Sequence, residues 1–482
     1  MNMTTHITRT TRALRALRAA AAGFIMTASL AAAPAGEDPA HWRLSETPAT
    51  VIINPAGDLA TGRAYQGTPN IVASATGRRV FAIWYGNGAD DDDHKGQGHA
   101  WECTDNYVMA AYGDARLDFG NNRVRIVIRS PHKRLVRCFD PCGWREPSGR
   151  VWLAWCQSTG EYDFHCRYFE KKNAQWSRHG STWGIYTDDP DAPEPKWSAP
   201  RRLFDGNMIN DPTFLKDGTG LYPVCQFIMK DIQDMHSMKE GAGAWISRDG
   251  FNFEQIGNIR FPDSRYAEHM FVEKNDGSIW CVGRREPGEM RLQRWSNAQK
   301  RFINLFKPTD GIVEAVSTDG GRTFGPSTFS KIPGIGSRTY IARLKSGNLL
   351  LMKSWANDEL WLAGKPKFGD GPKPQRRAVV AYISKDDGKS WEGGYYLFDV
   401  RKTTVPTDKK FTQYPDGSQA VTGENDGFIY IIWDYSRFDE PEIHAAKLTE
   451  DDILAGKIVT KGSIADAIVN KGPKTEKPPA EI

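Results

Sequence analysis

One unit recurs six times along this chain: a short apolar strand, a Gly-containing turn, and a second strand rich in β-branched and aromatic residues. The second strands are the plainest, Val80–Trp84, Val151–Trp155, Leu221–Cys225, Ile279–Val282, Leu349–Met352 and Ile429–Trp433, spaced by roughly 60 to 80 residues. Each is a continuous apolar run of strand length, the pattern of a strand covered on both faces. A lone unit cannot cover such a strand, so neighbours must stack. Four strands per unit, without strong helical periodicity between units, predict an all-β, six-bladed β-propeller. It runs as one domain over residues 36–457. Thr449-Glu450-Asp451-Asp452 before Ile453 reads as a capped last helical turn. Residues 458–482 read as a C-terminal tail, loose over its Lys- and Pro-rich end from Lys471 to Ile482.

Several units carry a third strand that ends in a polar turn: Ser317-Thr318-Asp319-Gly320-Gly321-Arg322-Thr323-Phe324, Ser384-Lys385-Asp386-Asp387-Gly388-Lys389-Ser390-Trp391, and a shorter copy at Ser247–Phe253. The Asp bonds turn amides, Gly supplies positive φ, and the aromatic ring packs back under the neighbouring strand.

Charge and cysteine content narrow the setting. The chain has 63 Lys and Arg against 59 Asp and Glu, but Arg9, Arg12, Arg15 and Arg18 all fall in an acid-free start, so the remainder is balanced. A basic nucleic-acid surface is not indicated. Those arginines, the apolar run Ala19–Ala33 and the Ala33-Pro34-Ala35 site are the three regions of a secretory signal over residues 1–35. A secreted or periplasmic protein is expected, with no membrane span in the mature chain. Seven cysteines, at 103, 138, 142, 156, 166, 225 and 281, leave at least one unpaired. Cys138 and Cys142 lack a second pair at zinc-site spacing, and His94, His99 and His236 have no ligand spacing, so no metal or cofactor is expected.

Chemistry is expected where each blade's first strand begins and its second ends, since antiparallel pairing puts both points on one rim near the axis. That rim is polar: Arg137 and Asp140, Asn210 and Asp211, Glu268 and His269, Arg284 and Arg285, Ser337 and Arg338, Tyr414 and Asp416, Asp434 and Arg437. Six blades converging on one funnel make these the candidate site residues.

The Ser-x-Asp-x-Gly turns resemble the Asp boxes of the sialidase superfamily, so the expected fold becomes a six-bladed β-propeller with Asp-box turns. In that likeness Asp249, Asp319 and Asp386 are structural and lie on the face opposite the site. Glu268-His269-Met270-Phe271-Val272 through Gly283-Arg284 is similar to the sialidase glutamate and the arginine that follows it. Arg376, just before the strand Ala378–Tyr382, matches another substrate-carboxylate arginine. Tyr414 opens the last blade and Asp434 closes its second strand, resembling the nucleophilic tyrosine and the acid after it, usually Glu. The resemblance implies a retaining exo-glycoside hydrolase acting on a terminal sialic acid or other acidic sugar of a glycan. Tyr414 would be its nucleophile, Glu268 the base, and Arg284 and Arg376 the anion clamp. A neutral phenol suits a carboxylate-bearing anomeric centre, which repels an anionic nucleophile, and guanidinium forks suit the carboxylate.

The sequence departs from this family in its first blade. The family opens that blade with an arginine two places before a proline; the matching stretch here is Gly67-Thr68-Pro69-Asn70. Arg338 or Arg137 is the candidate substitute. The general acid implied by the resemblance is Asp91, within Asp90-Asp91-Asp92-Asp93, a run that equally suits a solvated or calcium-attracting loop. His269 is a candidate rim acid/base or substrate contact, although strand alternation turns either it or Glu268 away from the funnel. Two alternatives stand beside the hydrolase: a polysaccharide lyase in which Tyr414 or His269 abstracts a proton next to a uronate carboxylate, and a non-catalytic glycan-binding propeller.

Overall fold

Why the second strands are unbroken apolar runs is visible in a computed structural model, which describes residues 41–55, 65–87, 106–132, 136–158, 180–225, 242–259, 261, 268–284, 293–296, 301–304, 311–356, 358–363, 376–403, 411–437 and 440–472. Blade 1 comprises β1 (Thr50–Ile53), β2 (Tyr65–Ala73), β3 (Arg79–Asn87), β4 (Tyr107–Asp114) and β5 (Ile126–Arg129), in the order β1-β5-β4-β3-β2. Blade 2 is β6 (Arg137–Arg145), β7 (Val151–Ser158), β8 (Gly180–Thr187) and β9 (Arg201–Asp205); blade 3 is β10 (Thr213–Phe214), β11 (Gly220–Cys225), β12 (Ala242–Ser247) and β13 (Glu254–Ile259). Blade 4 joins β14 (Met270–Glu273), β15 (Ile279–Gly283), β18 (Gly311–Ser317) and β19 (Thr328–Pro333), with a separate hairpin of β16 (Gln293–Ser296) and β17 (Arg301–Asn304) between its second and third strands. Blade 5 is β20 (Tyr340–Arg343), β21 (Leu349–Ser354), β22 (Ala378–Ser384) and β23 (Glu392–Asp399); blade 6 is β24 (Thr412–Gln419), β25 (Ile429–Tyr435), β26 (Glu442–Leu448) and β27 (Ile464–Lys471). The six antiparallel sheets form a six-bladed β-propeller within the unit Leu44–Ile482.

Each predicted second strand is the second strand of its blade, and β7, β11 and β25 are buried at every position. The core lies between blades. Blades 1 and 2 share Tyr85, Val108, Phe139 and Trp155, and blades 2 and 3 share Trp144, Trp152, Tyr222 and Phe204. The ring closes where Ile71, Val80, Ala82 and Met109 of blade 1 meet Tyr430, Ile432, Ile443 and Val469 of blade 6. Polar bonds lock the same seam: Gln66 Nε2 donates to the Pro441 carbonyl at 2.7 Å, and Asn470 Nδ2 to the Asn122 carbonyl at 3.1 Å.

Strand β27 lies past residue 457, where the sequence reading ends the propeller. As an outer strand it is mostly exposed, with only Val469 and Asn470 buried, so it lacks the apolar run that marks a strand in sequence. Before it, Thr449 caps a short helix α1 (Glu450–Ala455) through a reciprocal box with Asp452. Five cysteines stand among the described residues, all of them buried: Cys138, Cys142, Cys156, Cys225 and Cys281. Burial pushes Cys138 up to about 12, so it stays protonated. Residues 1–40 and 473–482 lie outside the described residues, as do Cys103 and Cys166. No helix among the described residues is long and apolar enough to cross a membrane.

Candidate functional site

Inner strands of this propeller carry an unusual backbone. Thr68, Asp140, Glu268 and Tyr414 sit at φ of 52°, 42°, 31° and 56°, in the left-handed region that side chains avoid. Three of the four fall at register breaks, between Gly67 and Asn70, Phe139 and Cys142, and Gln413 and Asp416. A bulge re-aims its side chain out of the strand alternation. Backbone strain of this kind concentrates at functional sites.

Two of these residues meet. The Tyr414 hydroxyl donates to Glu268 Oε1 at 2.9 Å, and Arg284 Nη1 donates both to that oxygen, at 2.7 Å, and to the Tyr414 hydroxyl, at 3.0 Å. The pairing of Met270 with Val282 explains the encounter, because it sets Glu268, just ahead of β14, opposite Arg284, just after β15. All three side chains are buried. Burial, then the neighbouring Glu268 carboxylate, raises the Tyr414 hydroxyl above its ordinary value, and Arg284, Arg376 and Arg437 oppose that rise. The phenol is therefore neutral at physiological pH and its proton already points at a carboxylate. Glu268 Oε2 has no hydrogen-bond partner among the described residues.

Arg376 precedes β22 and lies with its Cζ 5.7 Å from the Tyr414 ring centroid. Its guanidinium donates to Gln413 Oε1 and to the Gly336 carbonyl, both neutral acceptors. Arg437 is nearer, 4.5 Å from the same ring, and is held by Asp434 Oδ2 at 2.7 and 3.0 Å. Asp434 is fully buried and also accepts the Thr68 N–H at 2.9 Å. It therefore reaches the Tyr414 cluster through Arg437.

Other candidates stand elsewhere. Arg338 is fully buried, and its guanidinium donates to the carbonyls of Ile209, Pro69, Tyr414 and Pro415 at 2.8–3.1 Å and pairs with Asp416 at 3.3 Å. Spent on main chain from blades 1, 3 and 6, it ties the inner strands together and is not the spare cation the sequence reading sought. The Arg137 guanidinium lies 3.5 Å over the Phe139 ring in blade 2. His269 alternates away from Glu268: its Nε2 donates to the Gly243 carbonyl at 2.9 Å, and burial lowers it to about 4, so it is neutral and packed between blades 3 and 4. A rim acid/base or substrate role for it does not fit that place. Asp91 lies outside the described residues. Arg437 stands on the rim where the sequence analysis placed it, but no part in the anion clamp was expected of it; the available signal was its spacing of three from Asp434.

The Asp-box turns are at the other end of the blades. Ser317 pairs with Ile279, Ser384 with Leu349 and Ser247 with Gly220, all at the start of the second strand, whereas Arg284 follows that strand's end. Asp319 Oδ1 accepts the N–H groups of Arg322 and Thr323 at 3.1 and 2.9 Å, a turn-building role.

Six such blades with an axial cluster of tyrosine, glutamate and arginines define a propeller of the sialidase-like superfamily. Residues 121–431 match the BNR repeat-like domain, and the chain belongs to that family. Among solved structures it is similar to a protein of unknown function from Dyadobacter fermentans, at 13% identity over 82% of this chain and 98% of that one, with a TM-score of 0.52. It is also similar to the Hadza microbial sialidase Hz136, at 12% identity over 82% and 68% with a TM-score of 0.50. A leech intramolecular trans-sialidase, solved with 2,7-anhydro-Neu5Ac, is similar at 12% identity over 85% and 71%, also with a TM-score of 0.50. At these identities the likeness is one of fold. No match was found among curated protein sequences.

Proposed function

We propose that this protein is an exported exo-glycoside hydrolase that releases a terminal sialic acid or related acidic sugar from a glycan, with retention of anomeric configuration. The observation that carries this reading is the hydrogen-bonded set of Tyr414, Glu268 and Arg284 at the axial end of the blades. In the first step the Tyr414 oxygen attacks the anomeric carbon while its proton passes to Glu268, and the bond to the leaving oxygen breaks. That oxygen takes a proton from a general acid, for which Asp91 is the candidate. In the second step the same acid, now a carboxylate, takes back a proton from the water that attacks the same carbon, Tyr414 leaves, and Glu268 returns its proton to the phenolate. Two displacements at one carbon restore the original configuration. Arg284, Arg376 and Arg437 hold the substrate anion beside the phenol. The Arg-rich, apolar N-terminal segment supports export.

Tyr414→Phe tests the reading. It keeps the ring and its packing and removes the attacking oxygen, so turnover on the best chromogenic acidic glycoside should fall by at least about 10³-fold, with Tm nearly unchanged. Proton NMR of the first-formed product should give the retained anomer from the parent protein. Parent-level turnover by Tyr414→Phe would sink the mechanism. An ultraviolet-absorbing unsaturated product from uronate polymers would point to a lyase, and tight glycan binding without turnover to a binding propeller.

A further inference from the structure

A layer of polar side chains underlies the bulges of the inner strands. Where the register resumes after each break, the first paired residue is Asn70 in blade 1, Cys142 in blade 2 and Asp416 in blade 6. Asp211 of blade 3 and Arg338 of blade 5 join them. Asn70 links the acids. Its Oδ1 accepts the Gly143 N–H at 2.7 Å, which fixes the amide so that Nδ2 donates to Asp211 Oδ1 at 2.6 Å and also bonds Asp416. Asp416 Oδ1 accepts the Ile71 N–H at 3.2 Å, and its Oδ2 faces Arg338 Nη2 at 3.3 Å. Asn70, Arg338 and Asp416 are fully buried, and Asp211 is half-buried.

Arg338 ties this layer to the tyrosine above it. It donates to the carbonyl of Ile209, two residues before Asp211, to that of Pro69, beside Asn70, and to those of Tyr414 and Pro415, just ahead of Asp416. The guanidinium therefore grips the main chain next to both acids while its charge faces Asp416. Tyr414 is left-handed, and a strained backbone persists only where its surroundings over-determine it. Two other titratable groups face the acids, Tyr340 of blade 5 and Cys142 of blade 2, and burial raises both, so they stay neutral. Burial raises both carboxyls against the pull of Arg338, and the Asp416 charge lifts Asp211 further. Like charges so placed repel, so the pair gives up its protons in two steps. With one proton held, a single negative charge faces Arg338. With none, the second carboxylate competes with the Tyr414 and Pro415 carbonyls for the guanidinium.

We propose that Asp211 and Asp416 are positioning residues: holding one proton between them, they keep Arg338 on the Tyr414 and Pro415 carbonyls and so keep the Tyr414 hydroxyl on Glu268, and loss of that proton ends turnover. The half-buried Asp211 is where the proton enters and leaves. The active form carries the proton, so activity is present below the upper step of the pair and is lost as pH climbs through it. This deepens the proposed function by naming what regulates its nucleophile, and it rests on that reading of Tyr414.

The test reads Tyr414 without substrate. NMR of the protein with tyrosine isotopically labelled at Cζ follows the Tyr414 hydroxyl, and Tyr414→Phe assigns its resonance. In the parent that resonance should move with pH in step with the loss of the last protonated-carboxyl band in the infrared. Asp211→Asn removes the repulsion and leaves Asp416 paired with Arg338, so neither change should occur in that range. Turnover should agree: one pH unit above the step, kcat relative to each protein's optimum should be about tenfold higher in Asp211→Asn than in the parent. A residue needed only for packing would lower Tm and leave this profile in place. Asp416→Asn, which also removes the repulsion, decides the matter if Asp211→Asn does not fold. A Tyr414 resonance that holds still through the carboxyl step, a step that survives in the deciding variant, or an equal alkaline fall of kcat in both proteins overturns the proposal. If the resonance follows the carboxyl band while no glycoside is turned over, the positioning pair stands and the hydrolase reading falls.

Discussion

Removing Arg338 should cost this propeller more when the pH is high. Arg338→Met deletes the donor to four buried carbonyls, those of Ile209, Pro69, Tyr414 and Pro415, and the cation facing Asp416. Methionine fills much of the volume, so the loss is polar. Leaving a buried acceptor without its donor costs about 1–3 kcal/mol, so stranding these carbonyls costs at least about 3 kcal/mol at any pH. Asp416 refines that figure. Its burial outweighs Arg338 and raises it to about 7, and Asp211, close enough to couple with it, is raised too. A carboxyl raised in the folded state adds stability below its unfolded pKa and loses it as pH climbs through the folded value. Without Arg338 the folded value moves higher still. Each further unit adds about 1.4 kcal/mol to the penalty above pH 7 and nothing at pH 5, where Asp416 already holds its proton in both proteins. The expected loss is therefore about 3 kcal/mol at pH 5 and more than 4 kcal/mol at pH 8. With an unfolding entropy of ~0.8 kcal/mol/K for a propeller of this length, those losses lower Tm by about 4 and 5 °C or more. Thermal scans and guanidinium melts at the two pH values measure both. Adding Asp416→Asn to Arg338→Met should erase the pH dependence. Equal losses at pH 5 and pH 8, or a loss under about 1 kcal/mol at either, would refute the reasoning.

Two further stability predictions follow from buried charges away from the axis. Burial alone would lower His444, but its bonds to Asp466 at 2.7 Å and Glu442 at 2.9 Å outweigh that and raise it to about 9; its contribution is fully present below the unfolded pKa of ~6.5 and is lost as pH rises through about 9. His444→Gln should thus lower Tm at pH 6 by an amount worth about 2 kcal/mol, discounted for the half-exposed Asp466, and by much less at pH 10. Lys353 Nζ pairs with Asp358 at 2.6 Å with both side chains almost fully buried, so Lys353→Met should destabilise by about 3 kcal/mol, and Lys353→Met with Asp358→Leu by far less, as denaturant melts will test.

Much of the architecture was legible because it is local. A strand covered on both faces must be apolar throughout, so six such runs count the blades. A turn that needs an Asp acceptor and a positive φ writes Ser-x-Asp with a Gly one or two places on, as at Ser247, Ser317 and Ser384. Strand β27 escaped notice for the same reason, since an exposed outer strand carries little of that pattern. At the axis, Glu268 and Arg284 could be paired from their positions across one hairpin, whereas Tyr414 and Arg376 were joined to them by the resemblance to sialidases.

What the sequence by itself determined, then, is the repeat: how many blades there are, which strands are central, and which polar residues stand on the axial rim. Only the tertiary structure decided which of those rim residues face one another. Arg338 and Arg437 are both arginines at strand ends of late blades, yet one is consumed by four carbonyls beneath Tyr414 and the other passes over Gly67 to stand beside it. His269 and Glu268 are neighbours, yet one turns into the gap beside blade 3 and the other toward the axis. The physical reason is that strand periodicity is set within each segment. A buried guanidinium goes where acceptors from several blades coincide, and those acceptors are brought together only when the ring closes.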